Sequence, residues 1–257
     1  MVPQASRSRA VVTGATAGIG RAFATALAAR GDEVILVARD QRRLGELADE
    51  LRSRHGVGAD VVTADLATDA GTDAVCALLS EPSHPVDLLV NNAGFGQRLG
   101  FGDNDLAEEE RALDVLVRAP LRLCHAALPG MRDRQRGSII NVSSVAGWIP
   151  RGTYGAHKAW LTSFTRWLDL AYRRDGVQAM ALCPGFVRTE FHQRMDADMD
   201  GIPAWMWLDP DAVVAAALRD LARGVRVSVP SRRYRLLSRL ARVAPATLVG
   251  RAAPSDR

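Results

Sequence analysis

The sequence predicts an α/β protein with a doubly wound, mostly parallel sheet of about seven strands and helices on both faces. Short apolar runs, typical of buried strands, alternate along the chain with longer amphipathic segments that have helical spacing. The first apolar run leads into a glycine-rich loop that opens a helix. With 257 residues and 47% hydrophobic content, the chain suits a single domain over residues 1–257.

The glycine-rich loop follows a first predicted strand from Arg9 to Val12. It reads TGATAGIG, and the next residues, RAFATALAARG, repeat apolar side chains at helical spacing. A strand, a glycine loop and a helix start place backbone N–H groups and a helix N-terminus against a pyrophosphate. The loop therefore predicts a dinucleotide site, with contacts from Gly14, Thr16, Ala17, Gly18, Ile19 and Gly20.

Arg39 ends the second predicted strand, Glu33 to Ala38, and stands 19 residues after Gly20. An acidic side chain here would accept a hydrogen bond from a ribose 2′-hydroxyl, whereas an arginine can bind a 2′-phosphate. Arg39 therefore favours NADP as the cofactor. The alternative is that Asp40 binds the ribose, as in NAD-binding proteins, and that Arg39 is merely solvated.

The middle of the chain continues the alternation of strands and helices. Polar or small residues follow two of its strands: Asp65-Leu66 after the third, and Asn92-Ala93-Gly94 after the fourth. Small residues at the end of a central strand let a cofactor approach the backbone closely. The predicted elements are a helix from Gln41 to Arg54, a strand from Asp60 to Thr63, a helix from Ala70 to Leu79 and a strand from Val86 to Val90.

The second half of the chain begins with a long helical pattern, Leu106 to Met131, in which Pro120 predicts a kink or a break. Strands and helices then alternate to the end of the sheet. The predicted elements are a strand from Ser138 to Val142, a helix from Tyr154 to Tyr172, a strand from Gln178 to Leu182, a helix from Pro210 to Arg223 and a strand from Val225 to Val229.

Tyr154 and Lys158 lie four residues apart, and so on one face of the predicted helix. An ammonium beside a phenol favours the phenolate and lowers the phenol pKa, which would make Tyr154 a proton donor and acceptor. The alternative is a chance pair on a helix surface. Among 33 basic residues, however, Lys158 is the one lysine. A chain that otherwise uses arginine has kept a titratable ammonium at this position.

Composition limits the class and the location of the protein. Three cysteines, Cys76, Cys124 and Cys183, have neither disulfide-framework nor metal-ligand spacing, and no signal core or membrane-spanning run is evident. We therefore expect a cytoplasmic protein with reduced cysteines and no metal. Of the net charge of +4, residues 219–257 carry +8, so residues 1–218 sum to −4. We expect no nucleic-acid partner.

Six motifs in order carry a resemblance to a known family over about residues 9 to 230. The sequence resembles the short-chain dehydrogenase/reductases, which are single-domain Rossmann-fold oxidoreductases. The motifs are the glycine loop, Asp65-Leu66, NNAG from Asn91 to Gly94, the serine-ended strand, Tyr154-x-x-x-Lys158, and Pro184-Gly185-x-Val187-x-Thr189.

The resemblance implies NAD(P)-dependent redox chemistry at a carbonyl or alcohol. It implies that Tyr154 is the acid/base, that Lys158 binds the nicotinamide ribose and tunes the Tyr154 pKa, and that Ser144 holds the substrate oxygen. It also implies a homodimer or homotetramer formed through the long helices beside the sheet. The implied cofactor contacts outside the glycine loop are Arg39, Asp65, Leu66, Asn92, Ala93, Gly94, Tyr154, Lys158, Pro184, Gly185, Val187 and Thr189.

Two positions depart from the family pattern. Leu116 stands where the family usually has an asparagine that helps to organise a water-linked proton path to the lysine. The loop from Ser144 to Tyr154 is about three residues shorter than usual, which leaves the choice of Ser144 over Ser143 open. Ser144 is preferred because it precedes Val-Ala-Gly.

Two segments lie outside the motifs. The stretch of about 190–210 contains Trp205, Met206 and Trp207 and is interpreted either as a hydrophobic lid or as core packing. The basic tail of about 231–257 predicts an amphipathic helix, with Leu236, Leu237, Leu240 and Val243 on one side. Such a helix could contact an anionic membrane, but more often packs on the body of the protein or on a second subunit.

We therefore predict an oxidoreductase that transfers hydride between NADP(H) and an apolar carbonyl or secondary alcohol. The alternative from another class is a dinucleotide-binding protein that has lost turnover, which Leu116 keeps open. A third interpretation is an active enzyme that meets lipid-like substrates at a membrane through its basic tail.

Overall fold

Seven parallel strands form one sheet in the order β3-β2-β1-β4-β5-β6-β7. The computed structural model describes residues 8–97, 100–149, 152–191 and 202–243. The predicted doubly wound parallel sheet is confirmed. The strands are β1 Arg9–Thr13, β2 Glu33–Ala38, β3 Ala59–Thr63, β4 Leu88–Asn91, β5 Gly137–Val142, β6 Val177–Leu182 and β7 Val227–Ser228.

Helices cover both faces of the sheet because its strands are apolar on both sides. In β1, Val12 packs with one buried cluster and Val11 with the other, and Leu36 and Ile35 of β2 divide in the same way. The helices are α1 Gly18–Ala29, α2 Gln41–His55, α3 Asp69–Leu79, α4 Leu106–Leu113, α5 Ala119–Asp133, α6 Gly152–Tyr172, α7 Pro210–Ala222 and α8 Arg232–Val243.

The predicted break at Pro120 takes the form of a π-helical turn, Asp114–Arg118, between α4 and α5. Proline has no N–H to donate to the carbonyl four residues earlier, and its ring crowds that carbonyl. For Pro120 that carbonyl belongs to Leu116, so the widened turn begins upstream of the proline. Leu116 consequently lies in an irregular turn, and not in a regular helix.

The last strand is shorter than the predicted Val225 to Val229. The Val225 N–H bonds to the Asp220 carbonyl in the turn after α7, and β7 pairs with β6 only at Val227 and Ser228. The other strands agree with their predicted positions to within two residues.

The order of the strands sets the position of the site. From β1 the chain winds through β2 and β3 toward one edge, and from β4 it winds toward the other. The connections that follow β1 and β4 therefore run toward opposite edges of the sheet, and this fold places its ligand crevice at that point, at the carboxyl end of the strands. Within the described ranges, no helix is long and apolar enough to cross a membrane.

Candidate active site

The glycine loop between β1 and α1 has the shape of a phosphate cradle. Gly14 and Gly18 have left-handed backbone, with φ of +65° and +52°. A Cβ on Gly20 would lie 2.2 Å from the Gly14 carbonyl oxygen. Ala17 caps α1 without a side-chain acceptor, so the first N–H groups of the helix stay available for an anion. The loop therefore fits a dinucleotide pyrophosphate.

Two other residues of the loop face the protein. The Thr16 carbonyl accepts a hydrogen bond from Arg43, and Ile19 is partly buried against the core.

Thr13 fixes the loop after β4 against the glycine loop. Its Oγ1 accepts hydrogen bonds from the N–H groups of Asn92, at 2.9 Å, and Ala93, at 3.0 Å. The Asn92 amide in turn donates to the Thr13 carbonyl at 2.9 Å. Thr13 was not among the predicted site residues, although it is the first residue of the TGATAGIG loop. It supports Asn92, Ala93 and Gly94 at the floor of the crevice.

The structure distinguishes Ser144 from Ser143. The Ser143 hydroxyl is buried and bonded to the Lys158 carbonyl and the Thr162 hydroxyl, at 2.7 Å each. The Ser144 hydroxyl instead lies near the Tyr154 phenol, where it acts to lower the pKa of that phenol, and it accepts a hydrogen bond from the Ala146 N–H. Ser144 therefore has the geometry needed to act together with Tyr154.

Lys158 lies beneath Tyr154 and is only 4% exposed. Its Nζ donates to the Val142 carbonyl at 2.8 Å and lies 5.6 Å from the centroid of the Tyr154 ring. Burial lowers the pKa of Lys158 to about 8, because an ammonium loses its hydration there.

The expected lowering of the Tyr154 pKa is wrong for this structure. Burial raises the pKa of the Tyr154 phenol above its ordinary value, and the hydrogen bond with Ser144 offsets this only in part. The reason is that burial disfavours a phenolate more than its neighbours stabilise it. The phenol is therefore held protonated in this structure.

Leu116 occupies the space beside Gly94 and Lys158. A Cβ added to Gly94 would lie 2.9 Å from a Leu116 methyl group and 3.8 Å from Lys158 Nζ. A leucine methyl group and the lysine ammonium therefore both border Gly94, and the leucine offers no polar atom there.

Arg39, Asp40 and Asp65 lie after the carboxyl ends of β2 and β3. Arg39 is exposed and close enough to Asp65 to act on its pKa, while Asp40, which is also exposed, caps α2 by accepting from the Arg43 N–H at 3.0 Å. Burial acts to raise the pKa of Asp65, but hydrogen bonds from Arg111 and the Ala67 N–H outweigh it and lower that pKa. Asp65 is thus an ionised acceptor at this end.

Of the other predicted contacts, Leu66 after β3 and those after β6 mostly face the protein. Leu66 and Val187 are buried. A Cβ on Gly185 would lie 1.9 Å from the ring of Tyr234 in α8, and one on Gly18 would lie 2.8 Å from a Thr189 carbon. The Pro184 carbonyl accepts from the Val145 N–H. Gly185 thus admits α8 against the site, while Thr189 reaches the glycine loop.

The described part of the predicted lid is attached to α8. Trp205 is 54% exposed, with Arg233 5.8 Å from its ring centroid. The Tyr234 hydroxyl donates to the Met206 carbonyl at 3.0 Å, and Trp207 packs against Phe186. None of the three lid residues is fully buried, which argues against simple core packing. Residues 192–201 of this predicted lid lie outside the described residues.

The predicted tail helix forms, but its buried side is different from the predicted one. Tyr234 and Ser238 are buried, whereas Leu236 and Leu237 are 60% and 43% exposed. Tyr234 takes the inner position because its ring fits over Gly185. Packing of the leucines on the body of the chain is therefore wrong for these two residues. Residues 244–257 of the tail lie outside the described residues.

Cys76, Cys124 and Cys183 form no disulfide, and Cys124 and Cys183 are buried. Across the described ranges, no three His, Cys, Asp or Glu side chains are grouped in a way that could hold a metal ion.

A phosphate cradle at the switch point of a parallel sheet, with a Ser-Tyr-Lys cluster beside it, defines a class of nucleotide-dependent oxidoreductases. A family model described as short chain dehydrogenase matches residues 8–200. The chain belongs to the short-chain dehydrogenase family.

Proteins similar to this chain include solved structures and curated enzymes. A short-chain dehydrogenase of Sphingobium yanoikuyae in complex with NADPH is 32% identical, covers 97% of this chain and 99% of its own, and has a TM-score of 0.85. The bulky-bulky ketone specific alcohol dehydrogenase of Comamonas testosteroni is 29% identical, with coverages of 96% and 99% and a TM-score of 0.80.

A very-long-chain 3-oxoacyl-CoA reductase of Laccaria bicolor is 39% identical over 184 residues, which are 69% of this chain and 54% of that protein. The solved neighbours hold NADPH, NADP or NAD. The comparisons therefore support a nicotinamide dinucleotide without selecting one.

Proposed function

We propose that the protein is an NADP(H)-dependent reductase or dehydrogenase for a bulky, apolar ketone or its secondary alcohol. The observation that carries this proposal is the grouping of three side chains: the Ser144 hydroxyl acts to lower the pKa of the Tyr154 phenol, and the buried Lys158 Nζ lies 5.6 Å from the centroid of the Tyr154 ring. The alternative of a binding protein without turnover is not favoured, because all three side chains are present and lie together.

In this proposal Ser144, Tyr154 and Lys158 each have one role. Tyr154 gives its proton to the carbonyl oxygen in reduction and takes it back in oxidation. Ser144 donates a hydrogen bond to the same oxygen, where negative charge develops. Lys158 binds the nicotinamide ribose. The nicotinamide, when bound, supplies or accepts the hydride.

The proposed cofactor contacts follow the cradle and the crevice. The glycine loop holds the pyrophosphate, and Asn92 to Gly94 form the floor. Asp65 accepts from the adenine end, and Arg39 binds the 2′-phosphate of NADP. The exposed guanidinium of Arg39 and the use of Asp40 as a helix cap support NADP over NAD.

The proposed substrate class rests on the walls beside Ser144 and Tyr154. Val145, Trp148, Phe186 and Met206 pack around one buried cluster at the end of β6, and Phe191 lies 6.0 Å from the Tyr154 ring. Large apolar side chains here suit a bulky apolar ligand. The similarity to a dehydrogenase specific for bulky-bulky ketones supports the same class.

Location and assembly are part of the proposal. Cysteines that form no disulfide support a cytoplasmic protein. Leu113, Leu121, Trp167 and Leu170 are exposed on α4, α5 and α6, which supports a homodimer or homotetramer through these helices.

A substrate panel tests the proposed function directly. We expect the purified protein to consume NADPH with at least one bulky aromatic or aliphatic ketone and to act poorly on small aldehydes. The measurement is loss of nicotinamide absorbance with ketones, aldehydes and alcohols of graded size, in both directions and with both cofactors. Dinucleotide binding without turnover of any member would favour the binding-protein alternative.

The lid hypothesis predicts a dependence on substrate size. Replacing Trp205 and Trp207 together with Ala should raise the KM for large apolar ketones far more than for small ones, because two indoles no longer cover the ligand. Thermal stability should fall only slightly, since neither indole is fully buried. The measurement is KM across the graded panel, together with the melting temperature.

Trp167→Ala is the matched control, because its indole is as exposed as that of Trp205 but lies on α6. A stability loss of about 3–5 kcal/mol per indole with unchanged size selectivity would favour core packing and contradict the lid.

A further inference from the structure

Glu109 is a buried carboxylate that joins three segments beside the site. It lies in the first turn of α4 and is 8% exposed. Its Oε1 accepts from the Asn104 amide at 2.8 Å, and its Oε2 accepts from the Gln97 amide at 2.5 Å and the Thr153 hydroxyl at 2.6 Å. The Gln97 amide also donates to the Thr153 hydroxyl oxygen at 2.8 Å. We call Gln97, Asn104, Glu109 and Thr153 the Glu109 cluster.

The positions of these donors relate the cluster to the chemistry. Gln97 comes three residues after Gly94, in the loop at the floor of the crevice. Thr153 is the neighbour of Tyr154 in the first turn of α6. Glu109 therefore connects the floor of the cofactor crevice to the helix that carries the phenol.

Burying the Glu109 carboxylate costs free energy, because the ionised group loses its hydration. Burying an ionised group is unfavourable when it is not well hydrogen-bonded, and the three described donors to Glu109 are two amides and a hydroxyl. The negative charge gains from its place at the N-terminal end of α6, and charge-assisted hydrogen bonds are stronger than neutral ones. The result is a tight connection between the two segments.

We propose that Glu109 is a positioning residue for the reaction, which holds the start of α6 and the Tyr154 phenol against the loop that follows Gly94. This inference rests on the proposed function. Glu109 makes no described hydrogen bond to Tyr154 and acts through Thr153. Displacing a reacting group by about 1 Å can lower a rate by about 10²-fold. Loss of this connection should therefore lower kcat much more than it weakens cofactor binding.

The Glu109 carboxylate also lies near His157, the residue directly before Lys158 on α6. Burial lowers the pKa of His157, and the nearby Glu109 acts in the opposite direction while Lys158 lowers it further. Glu109 is therefore close enough to act on the pKa of His157, the residue before Lys158.

Glu109→Gln is the informative substitution, because it keeps the size of the side chain. Glu109 only accepts, whereas glutamine turns one of its two oxygens into an N–H₂ donor. In either amide orientation, that donor meets the Asn104 or the Gln97 amide, which must turn over and give up its present hydrogen bonds in order to accept. We expect kcat to fall about 10- to 100-fold, with substrate KM and cofactor Kd within about twofold of wild type.

A reciprocal variant separates positioning from general damage. When Gln97→Glu is combined with Glu109→Gln, the carboxylate moves to position 97, where it can accept from Thr153 and from the amide introduced at position 109. Asn104 then donates to the oxygen of that amide. We expect kcat to return to within about threefold of wild type. Glu110→Gln, an exposed neighbour on α4, is the matched control and should leave kcat unchanged.

Hydrogen–deuterium exchange of the peptide spanning 152–158 provides a readout besides activity. Glu109→Gln should speed exchange in this peptide, and the reciprocal variant should restore its protection. Unchanged kcat and exchange in Glu109→Gln, or loss without recovery in the reciprocal variant, would overturn the inference. If the wild-type protein turns over no carbonyl or alcohol, the proposed function fails, and the exchange comparison still decides whether Glu109 positions α6.

Discussion

Replacing Tyr154 with Phe is expected to lower turnover by about 10²–10⁴-fold, because the substrate oxygen then loses its proton donor. The ring remains to pack against Phe191, so the fold and the melting temperature should be preserved. Cofactor affinity should also be nearly unchanged, since the glycine loop and Lys158 stay in place. The measurement is steady-state turnover of the best ketone found in the panel, with dinucleotide binding measured by fluorescence.

The raised pKa of the Tyr154 phenol bears on this test. Burial keeps the phenol protonated but also makes it a weaker acid, so proton transfer in either direction requires stabilisation of the phenolate once cofactor and substrate are bound. Tyr172→Phe, near the end of the same helix, is the matched control. Turnover of Tyr154→Phe within about threefold of wild type would remove Tyr154 from the mechanism.

Replacing Arg39 with Ala is expected to weaken NADPH binding selectively, by about tenfold to more than a hundredfold. A charge-assisted contact to the 2′-phosphate is worth about 1.5–3 kcal/mol, and NADH lacks that phosphate. NADH affinity should therefore stay almost unchanged. The measurement is the Kd of each cofactor for wild type and variant at one fixed ionic strength, because such contacts are screened by salt.

Arg42→Ala is the matched control for Arg39. It removes a neighbouring exposed arginine whose described partner is Glu46 on the same helix. Equal losses for both cofactors in Arg39→Ala, or a preference of the wild-type protein for NADH, would contradict the assignment of Arg39 to the phosphate.

Local patterns predict the sheet and the cradle well. The strands are short apolar runs whose neighbours in sequence are turns, and the glycine loop encodes its own left-handed backbone. Such features depend on residues close together in the chain. The break at Pro120 was also predictable, because proline lacks the donor that the helix needs.

Features that depend on distant residues were missed or were wrong. The pKa of Tyr154 depends on how deeply α6 is packed, and the inner face of α8 depends on Gly185 being able to receive the Tyr234 ring. The choice of Ser144 over Ser143 depends on the packing of α6, whose Lys158 carbonyl and Thr162 hydroxyl bond the Ser143 hydroxyl. No spacing along the chain reveals Thr13 or Glu109, whose partners are up to about 80 residues away.

The amino-acid sequence by itself determined the doubly wound sheet and the glycine cradle. It also determined that Tyr154 and Lys158 lie on the same face of one helix. Each follows from short-range periodicity or from the backbone freedom of glycine. Only the tertiary structure decided which hydroxyl meets Tyr154, how burial sets the pKa values of Tyr154 and Lys158, and where Glu109 finds its donors. These are set by desolvation and by contacts across the fold, which exist only once the separate segments have packed together.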